Sequence, residues 1–346
     1  MTEHTTAAAT GPHAIEPLAE ALGKAATAAA QAPSIYNTQP WKWRIGDGAM
    51  ELRADPDRRL VAADLEGRML VVSCGVALHH AVIALTAFGY ASTTSYLPSA
   101  ADPDLLARVL PAGQRPPTAR DSRRYQALSR RRTDRRPFGD EPVPAESIEV
   151  LRAEAEALGE HLHTVRPDQL AAFQVAAADA ASIEITDPAY RAELSAWTHR
   201  PAAAGDGVPA ETTVPASPRR VPLRAFELDG SDALPPGGAH DRGTSYLVLW
   251  GDNDGRRAWL HAGEALSAVL LAATELGLAA SPMSDIVEVS SSRVALRRLL
   301  HWLGHPHMVV RIGLPTTTQP VPATPRRSHD ETILVEGDPG GGASRE

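Results

Sequence analysis

Two stretches of this chain, residues 64–91 (DLEGRMLVVSCGVALHHAVIALTAFGYA) and 252–279 (DNDGRRAWLHAGEALSAVLLAATELGLA), align without a gap at an offset of 188 positions. The identical pairs are Asp64/Asp252, Gly67/Gly255, Arg68/Arg256, Gly75/Gly263, Ala77/Ala265, Leu78/Leu266, Ala84/Ala272, Thr86/Thr274, Gly89/Gly277 and Ala91/Ala279. Two Ala- and Leu-rich helices could match by composition alone, but paired Asp, Gly and Arg residues at one fixed offset make that explanation poor. A solenoid needs at least three stacked units. The repeat therefore predicts two related halves fused end to end, like a dimer in one polypeptide.

The bulk composition predicts a globular protein of about two domains. The chain has 346 residues, of which 43% are hydrophobic and 22% are charged, so it can bury a substantial core. Its net charge of −8 gives no electrostatic reason to bind nucleic acid. Cys74 is the single cysteine, which excludes an internal disulfide and a multi-thiolate metal site.

The same composition bears on location. The N-terminal residues lack an apolar signal segment after a basic stretch, and no apolar run reaches 18 residues. We therefore expect a soluble, cytoplasmic protein that does not contact a membrane.

Periodicity and turn signals predict an N-terminal half over residues 14–115. A helix is expected at about 14–30, and two strands joined by a Gly-Asp-Gly turn at 42–54. The first repeat copy predicts a buried central helix at about 65–88, because its apolar residues fall nearly all round. A short strand is expected at 94–98.

A Pro- and Arg-rich stretch, residues 111–122, is interpreted as the link to a C-terminal half over residues 120–335. The segments predicted there are a basic helix at 125–138, an acidic helix near 141–159, a strand at 161–165, helical structure at 168–199, a strand at 245–250, the second repeat helix at 255–277, a further helix at 291–304 and a strand at 307–315. Strands and helices alternate irregularly, which predicts an α+β fold with mainly antiparallel sheets.

Residues 200–240 interrupt the C-terminal half with a Pro-, Gly- and Ala-rich stretch that carries almost no periodicity. A stretch of that length inside a compact chain is usually a functional cover or a disordered loop. We interpret it as a lid, with Trp197 and Phe226 near its borders.

The basic run SRRRTDRRPF holds five arginines among residues 130–136. A solvated basic surface, a nucleic-acid contact and an anion site are the competing interpretations. The nucleic-acid interpretation is weak because no aromatic stacking residues are interleaved. Guanidinium groups bind phosphate oxygens in a bidentate manner, so a small phosphorylated ligand fits this concentration of charge best.

The loop APSIYNTQPW at residues 32–41 places Asn37 and Gln39 between Pro33 and Pro40. It could be a rigid connector whose amides satisfy backbone groups. Alternatively, the prolines stiffen a segment that presents its backbone N–H and C=O groups to a planar heterocycle.

These two motifs carry a resemblance to a known family. The loop at 32–41 resembles the APSSxNxQPW loop of the FMN-dependent nitroreductases, and residues 131–138 resemble their RRSxRxF phosphate motif. The repeated helix is similar to their long central helix, and Gly313-Leu314-Pro315 to a late GxP strand end. The matches run across most of residues 25–330, and their combination is far more specific than any one of them.

The order of the motifs extends the resemblance. The first half has the loop but no upstream arginine motif, since residues 1–31 contain no arginine, whereas the second half has the arginine motif but reads HLHTVRPD where the loop should be. In the homodimeric family each FMN lies at the interface between subunits. The chain therefore resembles a fused pseudo-dimer that keeps one FMN site, as in the Acg family of actinobacterial nitroreductase-like proteins.

The resemblance implies a set of cofactor-binding residues. The phosphate and ribityl end would be held by Arg131, Arg132, Thr133, Arg135 and Arg326. The isoalloxazine would be lined by Pro33, Ser34, Ile35 and Asn37 from the other half, with Pro282, Met283 and Ser284 near flavin N5. The family pattern at the last position is nearer to Pro-x-Glu-Gly, so the departure here bears on substrate preference.

The implied function is an oxidoreductase in which one FMN per chain takes hydride from NAD(P)H and reduces a nitro, quinone-like or small metabolite substrate. The flavin supplies that chemistry, which explains why no acid–base pair or nucleophile stands out among the residues. The alternative is a flavin-sequestering or storage protein in which the lid covers FMN and turnover is small or absent. The fused halves predict a monomer or weak dimer. A metal site at His301, His305 and His307 is not favoured, because no Cys or acidic cluster joins them.

Overall fold

The computed structural model describes residues 17–198, 200–215, 219–226, 233–235, 237 and 240–336. The expected boundary at residue 14 lies outside the described residues, as do parts of the predicted lid.

The N-terminal part of the chain builds two helices and four strands. They are α1 (Leu18–Ala29), β1 (Trp41–Gly46), β2 (Ala49–Ala54), α2 (Arg68–Ala87), β3 (Tyr90–Tyr96) and β4 (Leu105–Gln114). The predicted hairpin is confirmed: Gly46 pairs with Ala49, and the two residues between them have φ angles of 51° and 68°. Positive φ at both central residues is the geometry of a type I′ turn, which suits the twist of a two-residue hairpin.

The remainder of the chain adds eight helices and five strands among the described residues. They are α3 (Ala119–Arg130), α4 (Ala145–Glu156), β5 (His161–Thr164), α5 (Leu170–Thr186), α6 (Pro188–Trp197), β6 (Ser245–Gly251), α7 (Arg256–Glu275), β7 (Ala279–Met283), α8 (Asp285–Glu288), α9 (Ser290–Leu299), β8 (His305–Gly313), α10 (His329–Thr332) and β9 (Ile333–Val335).

Two separate sheets flank the central helices. One has the strand order β3-β4-β2-β1-β9 and the other β5-β6-β8-β7. Within these two sheets all pairings are antiparallel except the parallel pair of β1 and β9. The predicted α+β class with mainly antiparallel sheets is confirmed.

The two repeat helices, α2 and α7, pack against each other through equivalent residues. A Cβ added to Gly75 would lie 3.0 Å from Cα of Gly263, and one added to Gly263 would lie 2.8 Å from Cα of Gly75. Further along, His79 Nδ1 is 2.9 Å from Oγ of Ser267, the residue 188 positions later. Contacts between equivalent residues are the signature of a two-fold interface. The two copies therefore pack against each other at matching positions.

The helix α2 is buried almost all round, as its sequence predicts. Sixteen of its 20 residues are buried, and its first turn is capped by Asp64, whose carboxylate accepts hydrogen bonds from the backbone N–H groups of Met69 and Leu70 at 3.0 and 2.8 Å. Among the described helices it alone is long and apolar enough to cross a membrane, but most of it lies inside the protein.

The structure corrects the predicted basic helix over 125–138. The helix ends at Arg130, and Arg131 has a ψ angle of 129°, outside the helical range. The following backbone is held elsewhere: Arg311 of β8 donates through Nη2 to the carbonyl oxygens of Asp134 and Arg136, each at 2.9 Å. Tertiary hydrogen bonds thus replace those that would have continued the helix. The helical structure predicted at 168–199 is likewise interrupted between α5 and α6, where Pro188 begins a new helix.

The interpreted link at 111–122 is also shorter than expected. Strand β4 continues to Gln114, and α3 begins after Thr118, whose Oγ1 accepts from the backbone N–H of Asp121 at 3.2 Å. The end of the chain then returns to the first sheet, because Trp43 of β1 pairs with Ile333 of β9. The last strand of the predicted range 120–335 therefore belongs to the sheet built by the range 14–115.

Candidate functional site

A cavity of about 400 Å³ lies between the two halves. Its lining comes from the loop of residues 33–36, helix α2, the end of β7 and described residues at 214–215 and 219–226. The lining residues are Pro33, Ser34, Ile35, Tyr36, Met69, Val72, Ser73, Val76, Thr133, Arg135, Val214, Pro215, Arg219, Pro222, Leu223, Arg224, Ala225, Phe226, Leu266, Ser281, Pro282, Met283, Ser284, Asp285 and Met308. The walls of this main cavity are thus largely apolar, with polar groups at a few places.

A smaller chamber of about 60 Å³ adjoins the main cavity, since Pro33, Ser34, Thr133 and Arg135 line both. Its cationic lining residues are Arg131, Arg132, Arg135 and Arg326. The structure therefore brings the arginine motif, the loop of the first half and the distant Arg326 to one place, as the resemblance implied.

The loop of residues 32–41 has an unusual backbone. Tyr36, Asn37 and Gln39 have φ angles of 47°, 56° and 48°, a region that L-residues seldom adopt. The conformation is held locally, because Ser34 Oγ accepts from the backbone N–H of Gln39 at 2.9 Å, and Ser73 Oγ of α2 accepts from that of Ile35 at 3.2 Å. Strained backbone that its surroundings over-determine is common at ligand sites.

Asn37 does not line the main cavity, where the resemblance placed it. It lines the arginine chamber, and its side chain binds the C-terminal arm: Nδ2 donates to the carbonyl oxygen of Pro325 at 3.0 Å, and Oδ1 accepts from Nη1 of Arg326 at 3.3 Å. Asn37 therefore positions Arg326. The sequence could not show this, because the two residues are 289 positions apart.

The arginine chamber holds positive charge that the protein does not neutralise. Arg131 is 5% exposed, and its Nε and Nη1 have no hydrogen-bond partner within the described residues. Burial, together with repulsion from Arg326 and Arg132, lowers the pKa of Arg131 to about 9. Burial and the charge of Arg132 also lower the pKa of Arg326 to about 10.

Acidic side chains are absent from this charge cluster. Across the described residues, none lies within ion-pair distance of Arg131, Arg132 or Arg326. Buried charges are normally paired, because an unpaired one loses its hydration without compensation. The chamber is therefore suited to an anion with several acceptor oxygens.

Arg135 connects the two spaces. Its Nη1 donates to the carbonyl oxygen of Thr212 at 3.0 Å, and its guanidinium lies 4.4 Å from the ring centre of Phe226. Burial and the nearby Arg224 lower its pKa to about 10. Thr133, two residues earlier, lines both spaces without belonging to a helix.

A buried ion pair that sequence reasoning missed holds this segment in place. Arg311 is fully buried and donates through Nη1 to Oδ1 of Asp241 at 2.8 Å, and the same oxygen accepts from the backbone N–H of Phe138 at 2.7 Å. Arg219 donates to the other oxygen of Asp241 at 3.0 Å and, through Nη2, to the carbonyl oxygen of Arg135 at 2.8 Å. Through these hydrogen bonds, Arg311, Asp241 and Arg219 fix the backbone of the arginine segment.

The end of β7 and the residue after it form another part of the lining. Pro282, Met283 and Ser284 all line the main cavity, and Ser284 Oγ accepts from Nη1 of Arg224 at 3.2 Å. These three predicted residues are therefore brought together with Pro33, Ser34 and Ile35 around one space.

Described residues of the predicted lid line the site: Thr212 lines the arginine chamber, and Val214, Arg224 and Phe226 line the main cavity. We call residues 200–226 the cover segment; residues 216–218 within it are not described. It is tied to the first half by Gln39, whose Nε2 donates to the carbonyl oxygen of Gly205 at 2.8 Å, and by an ion pair between Arg58 and Asp206. Asp206 is 4% exposed and also pairs with Arg200 at 2.6 Å. A hydrogen bond and an ion pair therefore hold the cover segment against the first half.

A second cluster, at the far side of the main cavity, also escaped sequence reasoning. Arg224 of the cover segment forms ion pairs with Glu184 of α5 at 2.6 Å and Glu288 of α8 at 2.8 Å. The hydroxyl groups of Tyr36 and Tyr190 are 2.5 Å apart, and that of Tyr190 donates to Glu184 at 2.5 Å. The residues come from five separate segments, so no local pattern marks them.

The repeat offset identifies a second position equivalent to the main cavity. Met69, Ser73 and Val76 of α2 correspond to Arg257, His261 and Glu264 of α7. There Glu264 accepts from the hydroxyl of Tyr96 at 3.0 Å and lies 3.4 Å from His261 Nδ1; the rings of Tyr96 and His261 are 4.3 Å apart, and Arg257 donates to the carbonyl oxygen of Tyr96 at 3.0 Å. Paired side chains therefore fill the second position.

The described residues contain no group of three or more His, Cys, Asp or Glu arranged to hold a metal. His305 and His307, considered above, lie instead near Asp254 at 3.5 Å and Glu160 at 3.8 Å respectively.

Comparison with known proteins shows which family this chain is similar to. Residues 128–314 match the nitroreductase family. A Mycobacterium tuberculosis (strain H37Rv) protein named "Putative NAD(P)H nitroreductase Rv3131" is 38% identical over 326 residues, covering 92% of each chain. Another, "Putative NAD(P)H nitroreductase acg", is 33% identical over 323 residues, covering 91% of this chain and 96% of its own. The resemblance drawn from the motifs is confirmed at the level of the family.

Solved structures give more distant matches. A nitroreductase with bound FMN from Desulfitobacterium hafniense is 13% identical, with a TM-score of 0.38, and covers 61% of this chain and 97% of its own. The FMN- and NADPH-dependent nitroreductase NfnB from a Sphingopyxis strain is 21% identical, with a TM-score of 0.39 and coverage of 61% and 97%. Scores at this level do not establish a fold by themselves, so the assignment rests on the family and the relatives above.

Proposed function

This chain belongs to the nitroreductase family, and from that premise we propose that it is a flavoprotein that binds one FMN and acts as an NAD(P)H-dependent oxidoreductase on nitro, quinone-like or small metabolite substrates. When bound, FMN supplies the hydride and electron transfer, while the protein supplies binding, orientation and electrostatics.

The observation that carries the proposal is the arginine chamber beside the main cavity. Arg131, which has buried nitrogens without hydrogen-bond partners among the described residues, lines a space too small for a ring system, and an apolar cavity of about 400 Å³ adjoins it. A phosphate in the chamber would satisfy the buried guanidinium groups, and a flat aromatic ring would fill the apolar space. FMN combines these two features in one molecule.

The residues divide between the two ends of that ligand. The phosphate end would be held by Arg131, Arg132, Thr133, Arg135 and Arg326, with Asn37 positioning Arg326. The ring would lie between Pro33, Ser34 and Ile35 on one side and Pro282, Met283 and Ser284 on the other. The cover segment would exclude water from the ring, a condition that strengthens electrostatic interactions inside the site.

We further propose that the chain is a fused pseudo-dimer with one flavin site. The packing of Gly75 against Gly263 supports the two-fold relation, and the paired side chains of Tyr96, His261 and Glu264 at the second position support a single flavin site. Since the fusion already buries the equivalent interface, the protein should be a monomer or a weak dimer in solution, which light scattering coupled to size-exclusion chromatography measures.

Stopped-flow mixing tests the activity. Purified yellow protein is mixed anaerobically with NADH or NADPH while the visible flavin band is followed. Bleaching at a catalytically useful rate, followed by reoxidation with a quinone or nitroaromatic, supports the oxidoreductase. Bleaching by dithionite alone contradicts it.

The second outcome would favour the alternative function, flavin sequestration or storage. Its support is the fastening of the cover segment, which binds Gln39 and Arg58 of the first half and Arg135 of the second. A nicotinamide ring must come within roughly 3–3.5 Å of the flavin to react. A cover that stays closed would prevent that approach while still retaining the flavin.

A further inference from the structure

One acidic side chain that lines the main cavity forms no ion pair with another described residue. Asp285 begins α8 directly after Ser284, is 2% exposed and lines the main cavity. Its Oδ2 is buried and has no hydrogen-bond partner within the described residues. Buried carboxylate oxygens are almost always paired, so an unpaired one that borders a ligand cavity indicates a group meant to interact with the ligand.

Burial of the Asp285 carboxyl favours its protonated form. The cluster contains three carboxyl groups, those of Glu184, Asp285 and Glu288, and one guanidinium, that of Arg224. Arg224 forms ion pairs with the two glutamates and none with Asp285. Burial raises the pKa of Asp285 to about 6, with Arg224 lowering it and Glu184 raising it. Burial likewise raises the pKa of Glu288 to about 7 against the effect of Arg224. This cluster therefore holds a proton close to neutral pH.

The other groups facing the cluster do not compete for that proton. Tyr36, from the loop of the first half, and Tyr190, from α6, both have pKa values raised chiefly by burial, so both stay protonated. Arg135 and Arg219 line the same cavity, but they are engaged by the carbonyl oxygen of Thr212 and by Asp241 respectively. Of the carboxyl groups in this cluster, Asp285 is therefore the one that lines the main cavity and also has an oxygen without a hydrogen-bond partner among the described residues.

We propose that Asp285 is the general acid of the reductive reaction, donating the proton on Oδ2 to the electron-accepting substrate in the main cavity. The inference rests on the proposed function. A quinone would accept a hydride equivalent from the reduced flavin and a proton from Asp285. The hydride equivalent and the proton would end on the two carbonyl oxygens, so both C=O double bonds would become the C–OH single bonds of a hydroquinone. The O–H bond of the Asp285 carboxyl would break, and the resulting carboxylate would regain a proton from solvent.

The test uses Asp285→Asn, which keeps the size of the side chain but cannot donate an acidic proton. Flavin-loaded protein is reduced photochemically without oxygen and mixed with a benzoquinone. Wild-type reoxidation should slow as pH rises through about 6, because the acid becomes ionised. Asp285→Asn should react about 100-fold or more slowly at the acid end and lose this pH dependence, as is typical when a general acid is removed. Asp285→Glu should restore part of both.

Ferricyanide provides the matched control, because it accepts one electron and no proton. Its reaction with the reduced protein should be the same in wild type and Asp285→Asn. If Asp285→Asn slows both acceptors equally, the residue acts on the flavin or the fold, and the proposal is overturned. If Asp285→Asn keeps the wild-type rate and pH profile with the quinone, the proposal is equally overturned.

An infrared titration separates this inference from the proposed function. In flavin-free protein, the carboxyl C=O band that is lost in Asp285→Asn should disappear as pH rises through about 6. A side chain that is ionised across the whole range overturns the acid role, whether or not flavin binds. If the band titrates as expected but the wild-type protein binds no flavin, it is the proposed function that fails.

Discussion

The two positions related by the 188-residue offset differ in whether their charged groups are paired. At the first, the apolar Met69 and Val76 border a cavity, and nearby Arg131 carries buried nitrogens without partners. At the second, Arg257 and Glu264 occupy the equivalent places and are paired with neighbouring groups. Fusion of two halves removes the requirement that both sites stay identical, so one position can keep ligand-binding groups while the other becomes part of the fold.

This comparison explains why unpaired groups indicate a ligand site more strongly than motifs do. A satisfied cluster, such as Tyr96, His261 and Glu264, gains nothing from a ligand. An unsatisfied one, such as Arg131 beside Arg132 and Arg326, gains the hydrogen bonds that burial has taken away. Affinity for an anion should therefore differ sharply between two places that share a common architecture.

The largest expected effect is all or none: purified protein should contain one FMN per chain, since the second position is filled by Tyr96 and His261. The measurement is flavin absorbance after denaturation, divided by the protein concentration. Two flavins per chain would break the comparison, because the second position would then have to open.

Next in size is the effect of Arg131→Met, which removes the unpaired cation and keeps an apolar chain of similar length. FMN affinity should fall by about 1.5–3 kcal/mol, the value of a charge-assisted contact, whereas riboflavin, which lacks the phosphate, should bind as before. Titration calorimetry measures both ligands.

The same variant should be more stable than wild type without flavin, because an unpaired buried charge has been removed. Arg130→Met is the matched control, since Arg130 is adjacent but exposed and should change neither affinity. Equal losses for FMN and riboflavin in Arg131→Met would mean that this arginine serves folding.

A third prediction concerns the helix crossing that relates the two halves. Gly75→Ala should lower the free energy of unfolding by about 1–3 kcal/mol, as overpacking does, because the added Cβ would lie 3.0 Å from Cα of Gly263 and closer still to the carbonyl oxygen of Leu260. Urea denaturation measures the change.

The control for that variant is Gly23→Ala in α1, where a Cβ meets nothing within 4 Å. It should stabilise the protein by about 0.5–1 kcal/mol, because alanine favours a helix over glycine. Equal effects of the two substitutions would mean that α2 and α7 do not need close approach.

The smallest expected effect is on access to the site. Asp206→Asn should weaken the pairing with Arg58 and Arg200 and let the cover segment open more often. Flavin bleaching by NAD(P)H should then accelerate about tenfold, the change that 1.4 kcal/mol produces in an opening equilibrium, while bleaching by dithionite should not change.

Asp102→Asn is its control, since it breaks an ion pair with Arg53 at 2.8 Å in the first sheet and away from the cover segment. If Asp206→Asn retains its flavin and is reduced as slowly as wild type, the cover segment is not the barrier. The walls of the cavity would then control the approach of nicotinamide.

Much of the fold was predictable because its signals are local. The Gly-Asp-Gly turn predicted the hairpin of β1 and β2, and the all-round apolar pattern predicted the buried α2. The basic helix at 125–138 was wrong beyond Arg130, because hydrogen bonds from Arg311, some 175 positions away, fix the backbone of Asp134 and Arg136. Sequence periodicity contains no information about such partners.

The candidate site, like the fold, was predictable only where its signals are local. Its arginines and its loop were recognisable as motifs, and the structure gathers them around adjoining spaces. Asn37 was assigned to the wrong space, since its contact with Arg326 depends on the returning C-terminal arm. The cluster of Arg224, Glu184 and Glu288 was missed, because its members look like solvated charges until packing buries them.

By itself, the sequence determined that the chain repeats, that its halves carry complementary motifs and that it belongs to the nitroreductase family, because residue identity and spacing are properties of the linear chain. Only the tertiary structure decided which charges are left unpaired. Whether a charged group is paired depends on its burial and on partners from distant segments. Arg131 and Asp285 have buried atoms without partners among the described residues, whereas Glu264 is paired with Tyr96. The free energy of a buried charge depends on its surroundings, and those exist only once the chain has folded.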